Sequence, residues 1–163
     1  KISKNLVDYG EEYNLDPRLA AALIARESSF NKQAVSVTGA KGLGQIKDFN
    51  YPDLEIEDPF NIDENIKGTV KYLKKMIKNW KDVSEDNSDI SDLNKDSVSQ
   101  DSDENHVKKG LASYFKGFTA VKTEGIDEKT EGYVDDIINL YKEIVEQEKT
   151  ALKNNSDAVK KGN

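Results

Sequence analysis

The chain has 163 residues, 36% hydrophobic and 34% charged, enough for one domain with a buried core under a heavily ionic surface. Its 31 acidic residues against 24 basic ones, a net charge of -7, argue against a general nucleic-acid binder, which needs a basic surface for phosphates. The absence of cysteine excludes a disulfide framework and a thiolate metal site, and no apolar run approaches the roughly 18 residues of a membrane span. The single histidine, His106, sits in a polar stretch with the composition of a loop, which gives little support to a histidine zinc site or a Ser-His-Asp triad. No cofactor is expected. Because the chain starts at Lys1 without methionine, it is expected to be a mature or excised piece whose targeting segment is missing.

In chain order, Ile2, Leu6, Tyr9 and Tyr13 at helical spacing predict a short amphipathic helix over 2–13. Asp16 as cap and Pro17 in the first turn start a second helix, expected to run to about Phe30. "FNKQAVSVTGAKGLGQI", with Gly39, Gly42 and Gly44, then predicts a loop with at most one short helical turn. "YPDLEIEDPFNIDEN" reads as another irregular connection, broken by Pro52 and Pro59. Ile66, Val70, Leu73, Ile77 and Trp80 step by four and three residues, the most regular helical stripe in the sequence and a core face.

Residues 84–105, "SEDNSDISDLNKDSVSQDSDEN", predict an acidic, flexible surface insertion. They lack the glycine and terminal glutamate of an EF-hand loop, so calcium is not expected there. A short helix is predicted over about 107–116, a glycine-bearing connection over "GFTAVKTEGIDEKT", and a last helix near 130–149 with Val134, Ile137, Ile138, Tyr141, Ile144 and Val145 on one side. Residues 151–163 are expected to fray. Strand signals are nearly absent. The expectation is an all-α domain of five or more helices over 1–150.

One residue fits this pattern poorly. In "LAAALIARESSF", Glu27 falls one turn after Leu23, on or beside the core-facing stripe and near the helix C-terminus. Burial and the negative end of the helix dipole both disfavour a charge there and raise the carboxyl pKa, as a general acid working near neutral pH requires. The alternative is a glutamate at the stripe's edge that reaches solvent or pairs with a lysine. The following "GAKGLG" has neither the spacing nor the preceding strand of a dinucleotide fingerprint, nor the Lys-Ser/Thr of a phosphate loop.

"LDPRLAAALIARESSFNKQAVSVTGAKGLGQI" resembles the catalytic segment of the goose-type lysozyme-like lytic transglycosylases, the SLT domain. An apolar helix ends in Glu27-Ser28, Ser36 follows nine residues after the glutamate, and Gly42, Leu43, Gln45 and Ile46 reproduce Gly-Leu-x-Gln-Ile. "DPFNIDENIKGTVKYLKKMI" is similar to the family's next block with Tyr72, "GLASYFKGFTAVKTEG" to its Ala-Tyr-Asn-x-Gly block with Tyr114, and "TEGYVDDIINLY" to its closing helix with Tyr133, so that the resemblance spans about residues 5–145. It implies a lysozyme-like fold and an exported, periplasmic or cell-envelope enzyme. That enzyme acts on peptidoglycan glycan strands, alone or within a larger protein or envelope machine.

The resemblance further implies that Glu27 serves as sole acid and base in cleaving the MurNAc–GlcNAc β-1,4 bond to a 1,6-anhydroMurNAc product. Ser36, Gln45, Tyr72 and Tyr114 would contact the sugars, and Tyr133, on a helix whose tyrosines also serve as core, would join them. The single-carboxylate scheme differs from the two-carboxylate arrangement of most glycosidases. Two other readings stand beside it: a hydrolytic muramidase, which needs a second carboxylate (Asp48, Asp53 and Glu55 are the nearest in sequence), and a wall-binding or scaffold module. The sequence departs from the family pattern at Gly44 and Lys47, where methionine is common, and at Phe115, where asparagine is expected. With a net charge of -7, sugar binding is expected to rest on hydrogen bonds and aromatic contact rather than electrostatic steering.

Overall fold

The structure, a computed structural model, describes residues 1–86 and 99–161. The described residues form seven α-helices, α1 (Ile2–Tyr13), α2 (Pro17–Ser28), α3 (Tyr51–Leu54), α4 (Ile62–Asp86), α5 (Ser99–Lys116), α6 (Phe118–Glu124) and α7 (Glu128–Lys161), with a 3-10 turn at Asp48–Asn50 before α3. Among the described residues the only β pairing is two isolated bridges, Val35 with Lys41 and Lys41 with Ile46. The fold is all-α, as the periodicity predicts.

α4 is the central rod. Its stripe Ile66, Val70, Leu73, Ile77 and Trp80 is buried along its whole length, with α1 and α5 packed against it. Leu19, Ala20, Ala22, Leu23 and Ile24 of α2 join the same core and meet Val134, Ile137 and Ile138 of α7. Fully burying each large aliphatic side chain contributes about 1.5–3 kcal/mol, so this shared core, rather than helix propensity, holds the bundle together. Trp80 Nε1 donates to Ser113 Oγ at 2.9 Å, which satisfies the one polar atom of the ring where α4 meets α5. Ile46, Leu54 and Ile56 form a smaller apolar cluster, with Tyr51 and Tyr72 against it.

Local chemistry sets the ends of α2. Asp16 Oδ1 accepts from Arg18 N at 2.9 Å and Pro17 occupies the first turn, as expected. The helix stops at Ser28 because Ser29 and Phe30 take left-handed backbone angles (φ 50° and 61°) and Ser29 N donates to Ala25 O. Phe30 therefore leaves the helix face expected for it and is 40% exposed.

Several connections are more helical than the sequence predicts. Pro52 stands in the first turn of α3, where its missing N–H costs nothing, so it begins a helix instead of breaking one. Gly117 (φ 96°) and Gly125 (φ 80°) bound α6, which is too short to show a period. The expected acidic insertion over 84–105 is helical at both ends. Residues 84–86 close α4 and 99–105 open α5, held together by Lys81–Asp103 (2.7 Å) and Ser84–His106 (2.9 Å). Its middle, residues 87–98, lies outside the described residues. His106 is thus a helix residue between α4 and α5, and its Nδ1 is buried without a partner. α7 continues to Lys161, beyond the expected end at 149, because nothing between Tyr133 and Lys161 is glycine or proline; residues 162–163 of the expected tail lie outside the described residues.

Candidate active site

The last turn of α2 carries Glu27 to the floor of a cleft of about 370 Å³, whose lining includes Ser36, Gln45, Tyr72, Tyr114 and Phe115. Glu27 is half-buried, and Tyr133 of α7 donates its hydroxyl to Glu27 Oε1 at 2.5 Å. Burial is the largest influence on the carboxyl and pushes its pKa up; the hydrogen bond from Tyr133 and the charge of Arg26 act the other way. Arg26 is turned outward to Asp136 of α7 at 2.8 Å, so it does not neutralise Glu27 as a direct partner. Tyr133 is itself buried, and burial together with the neighbouring Glu27 holds its phenol well above its ordinary pKa, so it remains a proton donor. The hydrogen-bond partner of Glu27 is thus the Tyr133 phenol, not the lysine of the edge-carboxylate alternative.

The segment between α2 and the 3-10 turn has no regular structure of its own and is held in shape by polar ties. Asn65 of α4, fully buried, accepts from Gly44 N at 2.8 Å and donates to Pro59 O at 2.8 Å and Lys41 O at 3.3 Å. Gly42 (φ 78°) packs so closely here that a Cβ would stand 2.2 Å from Pro59 O and 2.3 Å from Asn65 Nδ2. Gly44 has the same constraint, a Cβ there falling 1.9 Å from Thr69 Oγ1. The methionine common at this position cannot fit against Thr69, which explains that departure.

Gln45 (φ 51°) lines the cleft while its Nε2 donates to Ala34 O at 3.1 Å and Gly42 O at 2.9 Å, leaving its Oε1 as the group free to meet a ligand. Ser36 Oγ accepts from Ala40 N at 3.0 Å and lies 3.1 Å from Thr38 Oγ1, which presents a pair of hydroxyls to the cleft.

The opposite wall is aromatic. Tyr114, buried on α5, donates to Gly44 O at 2.8 Å and thereby ties α5 to the glycine loop. Its ring lies 5.0 Å from that of Tyr72, tilted by 57°. Phe115, one residue on, points toward α7 and stacks on Tyr133 with centroids 4.5 Å apart and planes 21° apart. Phe49, 72% exposed, and Lys47 complete the mouth, with Lys116, which is paired with Glu124 (3.1 Å) and Asp127 (2.9 Å).

All six residues singled out in the sequence therefore converge: Glu27, Ser36, Gln45, Tyr72 and Tyr114 line the cleft, and Tyr133 reaches it through its bond to Glu27. Asn65 was not anticipated, although it is the residue that shapes the loop. Its signal was a polar pair at one-turn spacing, Asn65 and Thr69, beside the apolar stripe of α4. Thr69 Oγ1 donates to Asn65 O at 2.7 Å. Among the described lining residues Glu27 is the only carboxylate. The other nearby acids are engaged elsewhere or face away: Glu55 pairs with Lys67 and Lys71 at 2.8 Å each, Asp53 pairs with Lys75 at 3.6 Å, and Asp48 is exposed outside the cleft lining.

Comparison with known proteins gives the family. The transglycosylase SLT domain family matches residues 5–135. The chain is 35% identical over 72 residues to a transglycosylase of Enterobacteria phage PRD1, an alignment that covers 44% of this chain and 27% of that protein. It is 33% identical over 73 residues to a membrane-bound lytic murein transglycosylase F of Desulfosudis oleivorans, covering 45% and 16%, and 37% identical over 70 residues to the protein of that name from Pseudoalteromonas translucida, covering 42% and 15%. The chain thus spans about a quarter or less of the length of these relatives. Helical order, the motif blocks in sequence and the match over most of its length lead to one conclusion: the chain belongs to the transglycosylase SLT domain family.

Proposed function

We propose that the chain is the catalytic domain of a peptidoglycan lytic transglycosylase in which Glu27 acts alone as acid and then base. The observation that carries this reading is that Glu27 is the sole carboxylate among the described residues lining the cleft, in a half-buried position that favours its protonated form.

Protonated Glu27 gives its proton to the oxygen joining MurNAc C1 to GlcNAc C4, and the C1–O bond breaks. The resulting carboxylate takes the proton from the MurNAc C6 hydroxyl as O6 bonds to C1. The products are a 1,6-anhydroMurNAc end and a GlcNAc with a free 4-hydroxyl; no water is consumed and Glu27 returns to its starting form. Tyr133 donates to the carboxylate stage, a hydrogen bond that favours the charged form Glu27 must pass through. Ser36 with Thr38, and the free Oε1 of Gln45, offer polar contacts to sugar hydroxyl and acetamido groups. Tyr72 and Tyr114 offer ring surface. A hydrolytic muramidase needs a second carboxylate to place its water or to serve as nucleophile, and the engagement of Asp53 and Glu55 with α4 lysines speaks for the non-hydrolytic course. This activity calls for a cell-envelope location facing the wall, as part of a larger envelope protein.

Digestion of purified sacculi followed by mass spectrometry of the muropeptides tests the assignment, with Glu27→Gln in parallel. Anhydro-muropeptides that disappear in the variant are expected. Reducing-end muramic acid would replace the reading by hydrolysis, and sacculus binding without any product would replace it by a wall-binding module.

A further inference from the structure

Phe115 is the position at which the chain departs from its family's polar residue, and its ring has a defined place. It stacks on Tyr133 at 4.5 Å, and Tyr133 is only 3% exposed although its hydroxyl bonds Glu27, which lines the cleft. Phe115 itself is 41% exposed and lines that cleft. Lys129 Nζ sits 5.5 Å from the Phe115 centroid, and the Arg26 guanidinium lies 5.5 Å from the Tyr133 centroid. A phenyl ring makes none of the hydrogen bonds of an asparagine, so what it does here it does by covering and by contact.

We propose that Phe115 is a positioning residue: its ring shelters Tyr133 from the water of the cleft and holds the phenol on Glu27 Oε1. The inference rests on the assignment of Glu27 as acid and base. Aromatic pairs attract beyond the area they bury, which favours this ring position over a swung-out alternative. Phe115 is rooted in the last turn of α5, next to Tyr114, whose bond to Gly44 O fixes that turn. The cover is therefore attached to the same element that braces the loop opposite Glu27.

The charged and titratable groups around Glu27 leave this role to Phe115. Tyr133 faces the carboxyl from α7 and Tyr114 from α5. Arg26, on the same helix, is held by Asp136. Lys116 is held by two carboxylates, and Lys47 stands at the mouth. Water admitted beside Tyr133 relieves the burial that dominates the Glu27 titration, and so favours its ionised form.

The test reads the two groups directly by NMR, without reference to turnover. The Tyr133 hydroxyl proton is expected as a slowly exchanging signal in the wild type and in Phe115→Leu, and to be lost to fast exchange in Phe115→Asn. The Glu27 side-chain carboxyl carbon is expected to titrate at lower pH in Phe115→Asn than in the wild type, with Phe115→Leu close to wild type. A far-ultraviolet circular dichroism spectrum checks that each variant is folded. On sacculi, Phe115→Asn is expected to lower kcat more than it raises KM. An unchanged hydroxyl signal and an unchanged Glu27 titration in folded Phe115→Asn would overturn the proposal, and a change confined to KM would recast Phe115 as a sugar contact. If both signals shift while wild-type protein releases no anhydro product, the positioning role stands and the assignment of activity fails.

Discussion

Two of the clefts on this molecule hold their charges in different ways. One, of about 490 Å³, lies between the α1–α2 junction, α4, α5 and α7, with Leu15, Leu19, Ile77, Val107 and Ile138 among its lining. Most of its charged groups have a polar or charged partner: Lys81 pairs with Asp103 at 2.7 Å, Asp16 is held by Arg18 and by Tyr141, and Lys74 donates to the backbone carbonyl of Asn14 at 2.6 Å. The other, of about 370 Å³, holds Glu27, whose hydrogen-bond partner is a neutral phenol and whose nearest cation is turned away. A compensated charge is a settled one. A half-buried carboxyl given only a phenol has its pKa raised by burial, and that, rather than volume, sets this cleft apart as a candidate place for proton transfer.

The strongest way to break this contrast is to remove the proton. Glu27→Gln keeps an acceptor for Tyr133 and nearly the same shape but has no proton to give, so release of anhydro product from sacculi should fall by roughly a hundredfold to ten-thousandfold, the usual scale of general acid–base catalysis. A smaller but still large effect is expected from Asn65→Ala, which leaves Gly44 N–H and the carbonyls of Lys41 and Pro59 without their buried partner. Urea denaturation should show a loss of roughly 3 kcal/mol, with activity falling as the loop carrying Ser36 and Gln45 loosens.

The pH dependence sharpens the comparison in a signed way. In the proposed mechanism catalysis starts from protonated Glu27, so activity is expected to fall as pH rises through its raised folded-state pKa; Tyr133→Phe removes a bond that lowers this pKa and should move that alkaline limb to higher pH. For stability, a carboxyl whose folded pKa lies above its unfolded value binds its proton more tightly when folded. The wild type should therefore lose stability as pH rises from the ordinary glutamate range through the folded value, and Glu27→Gln should melt higher than wild type above that window and alike below it. At the other cleft, Asp103→Asn removes an exposed pair, and neither melting temperature nor sacculus digestion is expected to change measurably.

Much of the site was legible because its signals are local. Glu27 stands out as a charge on an apolar face, and a residue's face on a helix follows from spacing alone. The glycine block around Gln45 announces a close backbone approach, and the structure supplies the neighbours, Asn65, Pro59 and Thr69. The readings that failed share one cause. The short helix α3 with Pro52, α6 between Gly117 and Gly125, and the first turns of α5 and last turns of α7 are too brief or too polar to carry an apolar period. Their helical state is decided by neighbours, such as the Phe118 ring against Trp80 at 5.1 Å.

By itself, then, the sequence determined an all-α domain, the central stripe of α4, the capped start of α2 and a carboxylate, Glu27, beside the apolar face of that helix, since each depends on residues within one or two turns of one another. Only the tertiary structure decided that Tyr133, 106 positions away, donates to Glu27, that Phe115 stacks on Tyr133, and that Asp53 and Glu55 pair with α4 lysines. The protonation of a buried carboxyl depends on everything within a few ångströms of it, and in a folded chain those neighbours come from elements that sequence spacing does not bring together.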